Sequence, residues 1–116
     1  MERLKKRRDF LAANRGARAA TDGFVLLVHP RGDGRDTVRV GYTVTKKIGG
    51  AVVRNRLKRR LRALAAEVVP ARAPAGSDIV LIGRGGGLTA NFSVLRQDLE
   101  KAFGRAARRR GAAPQR

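Results

Sequence analysis

The chain is expected to fold as an α+β protein: a two-layer α/β sandwich with a small mixed sheet, helices on one face, and the order α-β-β-(β)-α-β-α. Three observations predict this. FVLLV at 24–28 and DIVLIG at 78–83 are apolar runs of buried-strand length, and TVRVGYTVT at 37–45 alternates with a period of two. Between and after them, two longer segments repeat apolar residues at helical spacing. Helix and strand patterns interleaved in this way describe layers packed on one core, and 116 residues with 42% hydrophobic content suit a single domain.

The elements follow in order. Leu4 to about Asn14 forms a short helix with Leu4, Phe10 and Leu11 apolar and Gly16 as its stop. After Thr21, Asp22 and Gly23, the strand FVLLVHP runs to Pro30, and RGDGRD at 31–36 is a turn rich in residues that tolerate positive φ. In the next strand Val38, Val40, Tyr42 and Val44 share one face, with Arg39, Gly41 and Thr43 on the other. From Ala51 to about Val69, Val53, Leu57, Leu61, Leu64 and Val68 fall on one helical arc, and PARAPAG at 70–76 ends the helix. SDIVLIGR is the following strand, and GGG at 85–87 is a plain turn. Thr89 is the expected N-cap of a last helix carrying Phe92, Leu95, Leu99 and Phe103. Residues 1–110 are expected to form one domain, with 111–116 a basic, disordered tail.

Charge bounds the function more tightly than fold. Lys and Arg number 27 against 9 Asp and Glu, a formal net charge of +18, so a polyanion is the leading partner. A membrane-surface role would require large apolar or aromatic residues opposite the charges, and the helices offer Leu, Val and Ala. No apolar run is long enough for a signal peptide or a membrane span, which predicts a cytoplasmic protein. The chain has no Cys and a single His, His29, so thiolate sites and paired-imidazole sites are excluded. The carboxylates are scattered, and Asp98 and Glu100 diverge on their helix; no catalytic residue and no metal ligand is assigned.

The charge concentrates in KKIGGAVVRNRLKRRLR, residues 46–62, with eight basic side chains and no acidic one in seventeen positions. Arg54, Lys58 and Arg62 form an i, i+4, i+8 row, Arg56, Arg59 and Arg60 take the other flank, and no acidic residue offers pairing before Glu67. Lys46-Lys47-Ile48-Gly49-Gly50 places a basic, glycine-containing turn at the helix N-terminus, where backbone N–H groups and the dipole favour an anion. Arginines and the Asn55 amide can fork onto phosphates. Phosphate binding is therefore preferred to a merely solvated face.

This segment resembles the signature of the bacterial ribonuclease P protein family: Arg54-Asn55-Arg56, preceded by Thr45-Lys46-Lys47-Ile48-Gly49 and followed by Leu57-Lys58-Arg59. LKKRRDF, FVLLV, RVGYTVTKK, DIVLIGR and LTANFSVLRQDLEKAF also fall in that family's order, so the similarity spans nearly the whole chain. The resemblance implies a ribosomal protein S5 domain 2-like fold with a left-handed β-α-β crossover, where general topology favours the right-handed one. It implies a protein subunit of an endoribonuclease that removes the 5′ leader of precursor tRNA, with catalysis in the RNA subunit. Magnesium ions would be held mainly by that RNA. The partners implied are the ribonuclease P RNA and precursor tRNA, with no obligate protein partner.

Carried over by residue, Lys46, Lys47, Arg54, Asn55, Arg56, Lys58, Arg59, Arg60 and Arg62 would face the RNA and the metal ions near its active site. Phe10 and Tyr42 would belong to a cleft for the single-stranded leader, where stacking tolerates many base sequences. For Phe10 a core role pinning the first helix is an equal reading, and for Tyr42 the face shared with Val38, Val40 and Val44 favours core. Where the family often has further aromatics, this chain has Asn14 and Leu27. A structural RNA-binding protein is the alternative, and an autonomous nuclease using a carboxylate such as Asp78 is a third.

Overall fold

The computed structural model describes residues 1–112. Strand β1 (Glu2–Arg3) precedes helix α1 (Arg7–Ala13), followed by β2 (Ala17–Ala20), β3 (Phe24–Pro30) and β4 (Arg39–Thr43). Helix α2 (Ala51–Arg72), β5 (Ser77–Gly83) and α3 (Phe92–Ala112) complete the chain, with 3-10 turns at Lys46–Ile48 and Gly85–Leu88. The sheet order is β1-β4-β5-β3-β2. The β1/β4 and β4/β5 pairs are parallel, and β5/β3 and β3/β2 antiparallel, so the sheet is mixed as expected. Helix α2 is the crossover between the parallel neighbours β4 and β5.

The continuous apolar runs explain the layers. Phe24, Leu26 and Val28 of β3, Val40 of β4, and Ile79 and Leu81 of β5 pack against Leu57, Leu61 and Leu64 of α2 and Leu95 and Leu99 of α3. The alternate residues Val25, Leu27 and Val80 point the other way, where Leu4 and Ala13 cover them and Phe10 packs at the rim. The expectation of helices on one face is corrected in this respect: α2 and α3 share one face, and α1 lies on the opposite one. A strand apolar at every position needs cover on both sides.

Other boundaries moved for local reasons. Leu4 is buried in the link between β1 and α1, and the helix begins only at Arg7. Helix α2 continues through Pro70 to Arg72 rather than stopping at the proline. Pro70 and Ala66, whose carbonyl loses its helical donor, are both exposed, so water can satisfy the freed acceptor. Asn91, not Thr89, caps α3: its Oδ1 accepts the Ser93 N–H at 2.9 Å. Helix α3 takes in residues 111 and 112 of the expected tail, and residues 113–116 lie outside the described residues.

Two strands carry no sequence signal. Strand β2 reads ARAA, poor in strand formers, and exists because Thr21 closes a tight turn onto β3. Thr21 Oγ1 accepts the Phe24 N–H at 3.1 Å and its hydroxyl donates to the Phe24 carbonyl at 2.9 Å. Strand β1 is anchored by Glu2 N–H to the Val38 carbonyl at 2.8 Å and Leu4 N–H to the Val40 carbonyl at 2.9 Å.

Among the described residues, one charged side chain is fully inside. Asp78 of β5 receives Arg39 bidentately, Nε to Oδ1 at 2.7 Å and Nη2 to Oδ2 at 2.6 Å, and Arg31 Nη1 to Oδ1 at 3.0 Å. Arg39 also reaches Asp9 of α1 at 3.4 Å, tying that helix to the sheet. Among the described residues no helix is long and apolar enough to cross a membrane.

Candidate nucleic-acid interface

The candidate interface is built on the first half of α2 and the β1/β4 edge of the sheet. Leu57 and Leu61 bury one side of α2, which forces the interleaved basic residues outward. Asn55, Arg56, Arg59 and Arg62 are exposed, and Lys58 is partly covered. At the helix entry Gly49 adopts φ 153°, and Gly50 occupies the N-cap position without a side-chain cap. Lys46 and Lys47 are exposed on the preceding 3-10 turn.

Two hollows meet along this helix. A cleft of about 280 Å³ is lined by Arg3, Leu4, Lys5, Phe10, Tyr42, Lys58 and Arg62. A shallower depression is lined by Val52, Asn55, Lys58, Arg59 and Arg62. Lys58 and Arg62 belong to both, so the basic helix and the aromatic cleft are one surface. Within the cleft the Arg62 guanidinium stands 5.9 Å from the centre of the Tyr42 ring, within cation–π range.

Phe10 and Tyr42 each serve packing and cleft together. Phe10 lies over Gly41: a Cβ at that glycine would come within 2.5 Å of the ring, so only glycine admits this placement. Tyr42 packs at the margin of the main core, and burial raises its phenol pKa above the ordinary value, opposed by the nearby Arg62 and Arg3 charges.

Two other arginines are held internally. Arg60, grouped with the RNA-facing residues in the sequence, turns to the opposite flank and donates to the Ala90 carbonyl before α3, so it braces that loop. Arg54 folds back, its Nε donating to the Gly49 carbonyl at 3.2 Å, which fixes the turn carrying Lys46 and Lys47. Sequence reasoning missed Arg3, Leu4 and Lys5 as cleft residues, since only the parallel pairing of β1 with β4 brings them there. Asp78, the nuclease candidate, has both oxygens engaged by arginine, and no group of three or more His, Asp and Glu among the described residues could hold a metal ion.

Residues 1–107 match the family model described as Ribonuclease P. The chain belongs to the ribonuclease P protein family. It is 54% identical to the ribonuclease P protein component of Erythrobacter litoralis, over 93% of this chain and 88% of that protein. The ribonuclease P protein from Thermotoga maritima has a similar structure, with a TM-score of 0.73 and 34% identity over 90% of this chain and 97% of the other. The Staphylococcus aureus ribonuclease P protein superposes with a TM-score of 0.73 at 28% identity, over 90% of this chain and 94% of the other. Membership makes this ribonuclease P protein a component of an endoribonuclease complex and implies a role in tRNA 5′ processing.

Proposed function

We propose that this ribonuclease P protein binds the catalytic RNA through the basic half of α2 and the 5′ leader of precursor tRNA in the adjoining cleft, assisting endonucleolytic removal of the leader. The observation that carries this is the sharing of Lys58 and Arg62 between the helix surface and the cleft. One continuous strip of cations can then contact two RNAs at once and lower the repulsion between them. Residues 1–110 act as one RNA-binding domain in the cytoplasm, and no second protein is needed. Exposed Lys46, Lys47, Asn55, Arg56 and Arg59 contact the RNA backbone, Phe10 and Tyr42 offer ring surface to unpaired bases, and Arg3 and Lys5 add to the leader contacts. The cleft wall is cationic and has no carboxylate set suited to magnesium, so in this reading magnesium stays on the RNA, which also carries the catalysis.

The test is cleavage of a precursor tRNA by a bacterial ribonuclease P RNA at low magnesium, with and without the protein. The intact chain should restore the rate. Lys58→Ala with Arg62→Ala should weaken binding of leader-bearing precursor about tenfold, the equivalent of about 1.4 kcal/mol, and leave mature tRNA binding nearly unchanged. Equal loss on both substrates would overturn the leader assignment, and no rescue by the folded chain would leave structural RNA binding as the better account.

A further inference from the structure

We propose a second RNA-backbone site on the opposite edge of the sheet, formed by Lys101, Arg105, Arg108 and Arg109 of α3 along β2. This deepens the reading above and rests on it for the identity of the RNA. The sheet order puts β1 and the leader cleft at one edge and β2 at the other. Beside β2 runs an open groove of about 500 Å³ lined by Ala20, Thr21 and Gly104 together with Lys101, Arg105 and Arg108.

Three features distinguish this groove from a solvated helix face. First, Arg105 of the groove wall and Arg109 one turn further along α3 are fixed in place: Arg105 Nη2 donates to the Ala20 carbonyl at 2.9 Å and Arg109 Nη1 to the Arg18 carbonyl. Those carbonyls are two residues apart on one strand, about 7 Å, and the arginines are four apart on a helix, about 6 Å. That spacing is comparable to the separation of neighbouring phosphates on a nucleic-acid strand, and each guanidinium keeps further N–H groups for a phosphate. Second, Lys101 and Arg108 are exposed and, among the described residues, form no ion pair, although Asp22 and Asp98 also line the groove. Capping of a sheet edge accounts for Arg105 and Arg109 but not for these two. Third, Gly104 sits between them in the middle of α3, where packing does not demand glycine: the nearest atom to a Cβ there is Arg108 Nη1 at 3.7 Å. The missing side chain leaves room for close approach of a ligand backbone.

The test compares binding of a bacterial ribonuclease P RNA by the full chain and by Lys101→Ala with Arg108→Ala, a variant that keeps both edge caps. Affinity near 0.15 M salt should fall about tenfold, and the slope of log affinity against log salt should become shallower by about 1 to 2, the release expected for two phosphate contacts. A matched variant, Arg8→Ala with Arg35→Ala, removes the same charge from exposed positions away from α3 and should fall far less. Equal losses in the two would show a diffuse field and overturn the site, as would no loss in the α3 variant. Arg56→Ala with Arg59→Ala tests α2 separately. Loss there alone leaves the proposed function standing without the second site, and loss in the α3 variant alone keeps the second site while overturning the role of α2. Additive losses on combining all four substitutions would support two distinct contacts.

Discussion

Tyr42 is the only tyrosine of a chain that has no tryptophan, so its ionisation can be followed by ultraviolet absorbance without interference. Burial favours the neutral phenol, and its midpoint should lie above the ordinary 10.0 in the folded protein and return toward it in denaturant. A group whose pKa is raised on folding adds stability that is complete below its unfolded pKa and disappears as pH climbs through the folded one. The protein should therefore lose this contribution only in alkali, above about pH 10. A midpoint at or below the ordinary value would mean that Arg62 and Arg3 outweigh burial. At this scale the sequence showed which residue types could stack or bind phosphate. It could not show that Arg60 is spent on the Ala90 carbonyl, because that acceptor lies thirty residues away.

Among the elements, α3 offers the cleanest stability test. Gly104 stands in the interior of a 21-residue helix with space for a methyl group, so nothing local offsets its entropic cost. Gly104→Ala should stabilise the protein by about 0.5–1 kcal/mol, seen as a rise of a few degrees in Tm. A fall would mean that the space is already needed by Arg108. Helices α2 and α3 were legible because their apolar residues repeat along a single segment. Strand β2 was not, since ARAA becomes a strand only through the Thr21 turn and its register with β3. Asn91 displaced Thr89 as the cap for a similarly local reason, its side chain reaching the Ser93 N–H of the first turn.

Across the whole molecule, Asp78 joins the most parts: its oxygens bind Arg31 and Arg39, and Arg39 continues to Asp9 on α1. Asp78→Ala would leave the Arg31 side chain, 9% exposed, without its buried partner. Loss of one side of such a network costs about 3–5 kcal/mol, measurable by urea unfolding. Once folded protein is saturating, cleavage with the RNA subunit should persist; its abolition would favour a protein-based nuclease. By itself the sequence determined the α+β class, strands β3 and β5, the apolar arc of α2 and the cationic surface opposite it, because periodicity and charge are local properties. Tertiary structure decided that α1 covers the second face and that β1 carries Arg3 and Lys5 into the cleft beside Phe10, Tyr42, Lys58 and Arg62. It also decided which arginines remain free. Each of these depends on a partner distant in the chain, and pairing across a sheet leaves no period in the segment that is paired.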